Sequence, residues 1–245
     1  MCYSVHIPNK TQLTMLPVTY RRDNAAWVAL RACQQWEKGI TAEEQKAVFG
    51  LTRKPTALQL QAAELGGRAY PKNFVPVVVR EDGTIWLRPM RYSVRPAGSP
   101  TELANKYQMF NARLDTLVEK RTWKRLVGRH HGLLPFTGFY EWVRDDEGNA
   151  LELQFTPQGK DIMWAPVIWD HWKSLGGEVE FDSCALITDD PPPEVAQAGH
   201  DRCPIFLSGD AVDEWLSPEL HKPDTWQKFL QGHREQVYYE HRKAA

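Results

Sequence analysis

From Phe74 to Thr188 the chain is broken into short apolar runs rich in valine, isoleucine and aromatic residues, each closed by a polar turn. Runs of that length are strands rather than helices. The first spans 74–79 and returns over 84–87 across Asp82-Gly83, a dipeptide suited to a two-residue hairpin. Further runs follow at 133–134, 139–143, 151–155, 162–169 and 181–188, with a second polar turn from Asp145 to Asn149. Strands in series joined by tight turns pair antiparallel with their neighbours. Residues 2–7 read as one more short strand at the N-terminus.

The intervening segments are helical in pattern. The stretch 22–68 contains a capping box, Thr41 with Glu44, that opens a helix over 42–49. Pro55 is placed to open another, ending at Gly66-Gly67. Helices are also predicted over about 114–127, after an Asp210 cap and carrying Trp215, and over about 223–231. The expected fold is α+β: a single domain, residues 1–232, with a mostly antiparallel, barrel-like sheet, peripheral helices and a helical insertion over about 20–68. Residues 233–245 form a highly charged tail, expected to fray.

Lys and Arg total 30 against 31 Asp and Glu. Bulk charge therefore gives no attraction to nucleic acid, and any such contact must come from a local patch. No apolar run approaches the roughly 18–20 residues of a membrane span, and MCYSVHIPNK lacks the pattern of a secretory signal. A cytoplasmic location and no membrane partner are expected. The cysteines at 2, 33, 184 and 203 show no paired spacing and read as reduced thiols. His130-His131 lacks metal-ligand spacing with other residues, so no metal and no cofactor are expected. A monomer is expected.

Cys2 carries the distinctive chemistry. Removal of Met1 would leave a free α-amine beside a thiol. The α-amine has a pKa of about 7.7 against about 10.4 for lysine, so roughly a third of it is a neutral nucleophile near pH 7.4. It can condense with an aldehyde, and the adjacent thiol can then close on the imine as a five-membered thiazolidine, an intramolecular step of large effective molarity. Position alone does not make Cys2 reactive, because most cysteines are inert small hydrophobes.

Three further segments bear on it: Asn111-Ala112-Arg113-Leu114-Asp115-Thr116, Gly138-Phe139-Tyr140-Glu141-Trp142 and His200-Asp201-Arg202-Cys203-Pro204. With Cys2, in order and approximate spacing, these resemble the motifs of the SOS-response-associated peptidase family: an N-terminal Cys, N-A-R-x-E-T, G-F/W-Y/F-E-W and H-x-R-M-P. The resemblance covers residues 1–8 and about 70–216. It implies covalent capture of abasic sites in single-stranded DNA, with autocatalytic removal of Met1 and a possible lyase activity, in a nucleoid-associated DNA-repair protein. By motif position, Cys2 would be the nucleophile and Asn111 would orient its amine. Glu141 would shuttle protons, and His200 would protonate the sugar oxygen as the ring opens. Arg113 would hold a phosphate.

General acid–base chemistry of this kind suits a Glu and a His, and an Arg–phosphate contact positions DNA without reading sequence. A basic cluster adds to the DNA surface: Arg113, Lys120, Arg121, Lys124, Arg125 and Arg129, of which Arg113, Lys120, Lys124 and Arg121 would share much of one side if the segment is helical. Tyr3 and Ser4 stand where the family has Gly-Arg, and are expected to take over contact with DNA. Asp115 replaces a Glu, Gly132 a Cys, and Cys203 a Met. Two other readings are compatible with the residues: an N-terminal-nucleophile Cys amidohydrolase, and a non-covalent single-stranded-DNA-binding module built on the basic cluster and the tryptophans.

Overall fold

The computed structural model describes residues 3–14, 19–49, 60–145, 147–218 and 222–244. In chain order it begins with strand β1 (Ser4–Ile7), helix α1 (Lys10–Thr14), the two-residue strand β2 (Arg21–Arg22) and helices α2 (Asn24–Gly39), α3 (Ala42–Phe49) and α4 (Gln61–Leu65), then strand β3 (Gly67–Ala69). The Asp23 carboxylate caps α2 by accepting the Ala26 N–H at 3.0 Å. The expected capping box is present on α3: Glu44 accepts from the Thr41 N–H at 2.7 Å, and Thr41 Oγ1 accepts from the Glu44 N–H at 3.2 Å. The predicted helix start at Pro55 lies outside the described residues. Its predicted end holds: Gly66 closes α4 at φ 77°, and a Cβ there would sit 2.6 Å from the Pro8 carbonyl.

The predicted hairpin follows. Strands β4 (Phe74–Glu81) and β5 (Thr84–Tyr92) pair across Asp82-Gly83. Both turn residues have positive φ, 48° and 71°, as a type I′ turn requires. Then come β6 (Asn111–Arg113), α5 (Arg121–Lys124), β7 (His131–Phe136), β8 (Gly138–Arg144), β9 (Ala150–Pro157), β10 (Met163–Lys173), β11 (Glu180–Asp189), α6 (Pro193–Gln197), β12 (Cys203–Pro204), α7 (Asp210–Leu216), α8 (Pro223–His233) and β13 (Tyr239–Lys243).

Two sheets result. In the larger, β11, β10, β7, β4 and β5 pair antiparallel in sequence, and β5 returns to β11 in a parallel pairing at Arg91–Ser183 and Tyr92–Cys184, closing a five-stranded barrel. A closed wall leaves little space between strands. A Cβ on Gly132 in β7 would lie 2.8 Å from Val77 and 3.2 Å from Val167, which is why a glycine stands there. The smaller sheet runs β13-β9-β8-β1-β3. Its buried residues Val5, Ile7, Phe139, Val143 and Phe155 share one core with Val75, Val77, Leu134, Val167 and Leu186 of the barrel. A second cluster, centred on Trp123, Trp215 and Trp226, lies under α5, α7 and α8. A third packs Trp27, Leu30 and Cys33 of α2 against Phe74, Trp172 and Phe181. The fold is thus α+β in one domain, mostly antiparallel and barrel-like, with helices at the periphery.

Three local readings differ from expectation. The segment 114–127 is not one helix: a 3₁₀ turn at Leu114–Thr116 and the single turn α5 are separated by irregular chain. The Leu114 carbonyl accepts from the Gln227 side chain of α8 at 2.6 Å, so a tertiary partner replaces the amide that a continuous helix would supply. Asp210 is the first residue of α7 rather than its cap, which is Gly209 at φ 56°. The charged tail does not fray over 239–243: it pairs with β9, from Tyr239 opposite Pro157 to Lys243 opposite Leu153. Tyr239 anchors it, 5% exposed, with its ring against Phe139 and Phe206, while the charged residues that follow stay exposed.

Candidate active site

The GFYEW run forms most of β8, and strand alternation decides which way its residues point. Trp142 is 54% exposed, whereas Glu141 is 2% exposed and points inward. A carboxyl placed there pays for desolvation unless it is partnered. His200 supplies the partner: its Nε2 lies 3.1 Å from Glu141 Oε2. His200 is delivered by the tight end of α6, where Gly199 takes φ 92° and the His200 N–H donates to the Val195 carbonyl at 3.2 Å.

The other face of the imidazole fixes its tautomer. Nδ1 lies 2.8 Å from the Arg202 carbonyl oxygen, which only accepts, so Nδ1 carries a proton. The Arg202 amide also approaches Nδ1, at 3.3 Å, the longer and weaker of the two contacts. Nε2 is therefore the exchangeable position, and the Glu141–His200 contact needs one shared proton, carried by the carboxyl or the imidazole. Burial pushes the Glu141 carboxyl above the usual carboxylate range, and the His200 hydrogen bond and charge partly offset this. A buried pair that passes one proton between two atoms can act as both acid and base.

Asn111 opens β6, which pairs parallel with β11 at Leu186. It is 7% exposed, and the Tyr92 hydroxyl donates to its Oδ1 at 3.4 Å. Two residues on, Arg113 is ion-paired with Asp115 and remains 41% exposed. Asp115 also meets Arg202 at 3.5 Å, and Arg202 holds Asp190 at 2.9 Å. Arg113 and Arg202 are thus tied together through Asp115, and Arg202 in turn holds the His200 ring through its carbonyl.

Cys2 lies outside the described residues. Tyr3, next to it, is 46% exposed and meets Tyr70 and Phe110 edge-on, with ring centroids at 6.1 and 6.4 Å. Phe110 in turn meets Tyr92 at 5.9 Å, so a chain of rings leads from Tyr3 to the hydroxyl on Asn111. Ser4 is fully buried, and its hydroxyl accepts from Arg68 Nε at 2.9 Å. The Arg68 guanidinium is held by Glu152 and lies over the Tyr140 ring, 3.9 Å from its centroid. The remaining cysteines, 33, 184 and 203, are buried free thiols, and burial pushes Cys203 up to about 12.

The structure does not join the whole basic cluster to this pair. Lys120, Lys124 and Arg125 are exposed, but no single helix face unites them with Arg113, and Arg125 is ion-paired with Asp170 of β10. His131 is a core residue. It accepts from the Gly128 N–H at 2.8 Å, donates to the Trp215 carbonyl at 3.0 Å and stacks on Trp215. Among the described residues no group of three His, Cys, Asp or Glu side chains is arranged to hold a metal, and no helix is long and apolar enough to cross a membrane.

Two participants are not readable from the sequence as site residues. Arg202 sits inside a recognised motif, yet its carbonyl, not its charge, orients His200. Arg68 lies in a three-residue strand with no motif to mark it, and only the β1–β3 pairing brings it to Ser4.

The chain has relatives among known proteins. Residues 35–242 match the family profile of the SOS response associated peptidase (SRAP). The chain is 27% identical over 160 residues to the abasic site processing protein YobE of Bacillus subtilis (strain 168), covering 65% of this chain and 72% of that one. It is 28% identical over 162 residues to the abasic site processing protein HMCES of Pongo abelii, covering 53% of this chain and 45% of that one. In fold it is similar to a crystal structure of a protein from Bacteroides thetaiotaomicron, with a TM-score of 0.62 at 16% identity, covering 100% of this chain and 92% of that one. A phage-related protein from Bordetella bronchiseptica gives a TM-score of 0.56 at 18% identity, covering 84% and 91%. With a profile match over most of its length, this chain belongs to the SOS response associated peptidase family.

Proposed function

We propose that this protein processes abasic sites in single-stranded DNA by capturing them covalently through Cys2, once Met1 has been removed autocatalytically. The observation that carries the reading is the buried Glu141–His200 pair, which shares one proton across His200 Nε2 while the Arg202 carbonyl holds the ring through Nδ1. Arg113, half-exposed and tied to the same network through Asp115, is suited to hold the phosphate beside the lesion. Lys120, Lys124 and Arg125 offer a wider electrostatic surface for the strand. The protein would act in the cytoplasm, on the nucleoid.

The chemistry balances with these residues. In ring opening of the abasic deoxyribose, His200 gives a proton to the ring oxygen and Glu141 takes one from the C1′ hydroxyl, giving the aldehyde, and the proton on Glu141 then passes to His200 Nε2 and resets the pair. The Cys2 amine, oriented by Asn111, adds to C1′. Glu141 takes a proton from nitrogen and returns one to the departing hydroxyl, so that water leaves and an imine remains. The Cys2 thiol then adds across the C=N bond: sulfur bonds to C1′ and its proton ends on nitrogen. The product is a thiazolidine, with one water released overall. Hydrolysis of the Met1–Cys2 peptide bond needs the same acid and base, and would precede capture.

The test is incubation with a single-stranded oligonucleotide carrying one abasic site, followed by denaturing electrophoresis. A heat-stable, slower band is expected with the wild type and not with Cys2→Ala. No band with the wild type, or an equal band with Cys2→Ala, overturns the reading.

A further inference from the structure

Two buried arginines of the barrel share a single carboxylate. Arg91, on β5, is 5% exposed, and Arg95, three residues past that strand, is 1% exposed. Arg91 Nη2 donates to Glu102 Oε1 at 3.0 Å, and Arg95 Nη1 donates to Glu102 Oε2 at 3.3 Å. Among the described residues no other carboxylate pairs with either guanidinium. Arg91 Nη1 and Arg95 Nε are buried without a hydrogen-bond partner. Arg95 lies over the Trp172 ring, 3.7 Å from its centroid, and Arg91 over Phe181 at 5.5 Å. An aromatic face attracts a cation but brings no net negative charge. One positive charge is therefore left without a counter-charge, which is costly in the interior. Burial pulls the Arg95 guanidinium down to about 10, with Glu102 opposing the shift and Arg91 adding to it.

Glu102 links this cluster to the surface. It lines a cavity of about 250 Å³ together with Tyr3, Lys72 and Ser93. Both of its oxygens are already engaged by the arginines. Lys72 adds an ammonium on the same side: burial holds it below the usual lysine value, Glu102 partly offsets this, and Arg91 reinforces it. Ser93 brings a hydroxyl, and Pro71, Leu103 and Phe110 form apolar walls. Charges in a partly buried site are screened far less than those on an open surface, so the excess is felt inside the cavity.

We propose that this cavity is a phosphate site: the oxyanion accepts hydrogen bonds from Lys72 and Ser93 and supplies the counter-charge that Arg91 and Arg95 lack. Phosphate oxygens accept charge-assisted bonds from ammonium and guanidinium groups, which are shorter and stronger than neutral ones. The phosphate can come from two sources, a small phosphate free in solution or a phosphodiester of a bound single strand. The site itself stands apart from the abasic-site reading. The second source rests on that reading, because a lesion at Cys2 brings the neighbouring phosphate to Tyr3.

The test uses the full chain and its Lys72→Gly variant. Lys72 has φ 78°, which glycine accepts, so the backbone is kept while the ammonium is lost. Binding of sodium phosphate is measured by titration calorimetry against sodium chloride of equal ionic strength. The wild type is expected to bind phosphate, and the variant to bind it at least about 10-fold more weakly, as the loss of one charge-assisted hydrogen bond requires. Urea unfolding separates this from a structural role. Without phosphate the variant should be at least as stable as the wild type, because a cation beside Arg91 is gone, and added phosphate should stabilise the wild type more than the variant. No phosphate binding by the wild type beyond the chloride control, or equal binding by Lys72→Gly, overturns the site. An undamaged single-stranded oligonucleotide, followed by fluorescence anisotropy, identifies the source. If phosphate at constant ionic strength displaces the strand from the wild type but not from the variant, the site stands and a phosphodiester fills it. If calorimetry shows the site and the strand is indifferent to phosphate, the site stands and takes free phosphate. If Cys2 forms no adduct, the abasic-site reading falls and the calorimetric result is untouched.

Discussion

Glu141→Gln isolates the proton from everything else Glu141 does. The two side chains have the same shape, and Glu141 is 2% exposed, so the replacement fits without repacking. Because His200 Nδ1 donates to the Arg202 carbonyl, Nε2 can accept, and the new carboxamide N–H can donate to it across the same 3.1 Å gap. Geometry survives and proton transfer does not. Full loss of general acid–base catalysis is about 10²–10⁴-fold, or about 3–5 kcal/mol of barrier at 1.36 kcal/mol per decade. The assay is single-turnover adduct formation with protein in excess over an abasic oligonucleotide, quenched and resolved on denaturing gels from pH 5 to pH 9. Burial raises the Glu141 carboxyl, so the wild-type rate should carry a titration limb above the ordinary carboxylate value of about 4.3. Glu141→Gln should lack that limb. A variant that keeps its rate within about 3-fold at saturation, far short of the loss expected for a catalytic acid or base, while its affinity collapses, would refute the assignment of a proton-transfer role.

Other outcomes follow from the same geometry. Mass spectrometry of the native chain should show Met1 absent, and an uncleaved N-terminal tag should abolish the adduct as Cys2→Ala does. Arg113→Ala and Lys124→Ala should each lower the slope of log K against log salt by about one unit without changing base preference, as read by anisotropy titrations from low to high salt. Ser4→Arg should lower stability by about 1–3 kcal/mol in urea unfolding, because the new guanidinium must enter a fully buried position already closed by Arg68. His131 is held near 3 by burial, well below its ordinary value of about 6.5. The unfolded chain therefore binds this proton first as pH falls. Stability from His131 is complete above about 6.5 and is lost toward pH 3, with about 2 kcal/mol gone by pH 5. Urea unfolding of wild type and His131→Gln at pH 7 and pH 5 should show that difference in the wild type alone.

Local chemistry made much of the fold legible. The type I′ hairpin at Asp82-Gly83, the Thr41–Glu44 box and the glycine stop at Gly66 each depend on residues a few positions apart, and each formed as written. Barrel closure by β5 and β11 was not legible in detail, because a parallel pairing between residues about ninety positions apart leaves no local mark. The 114–127 segment failed for a related reason: its apolar spacing suits a helix, but Gln227, more than a hundred residues away, takes the carbonyls. At the site, strand alternation around Tyr140 and Trp142 allowed either face for Glu141, and only the closed core selects the inward one. The same pattern set Ser4 opposite to Tyr3, as observed, yet gave no sign that Arg68 would bury it.

The sheet that carries β1 ends in strands β13 and β3. An exposed strand edge is a template on which another chain can add, and proteins blunt it with short or charged strands. Here β3 has three residues, and β13 presents Glu240, His241, Arg242 and Lys243 to solvent. Without β13, the rim of β9, with Leu153 and Phe155 in its ladder, would be uncovered. Residues 239–243 thus cover this rim, and a version lacking them is expected to precipitate at concentrations that the version retaining them tolerates.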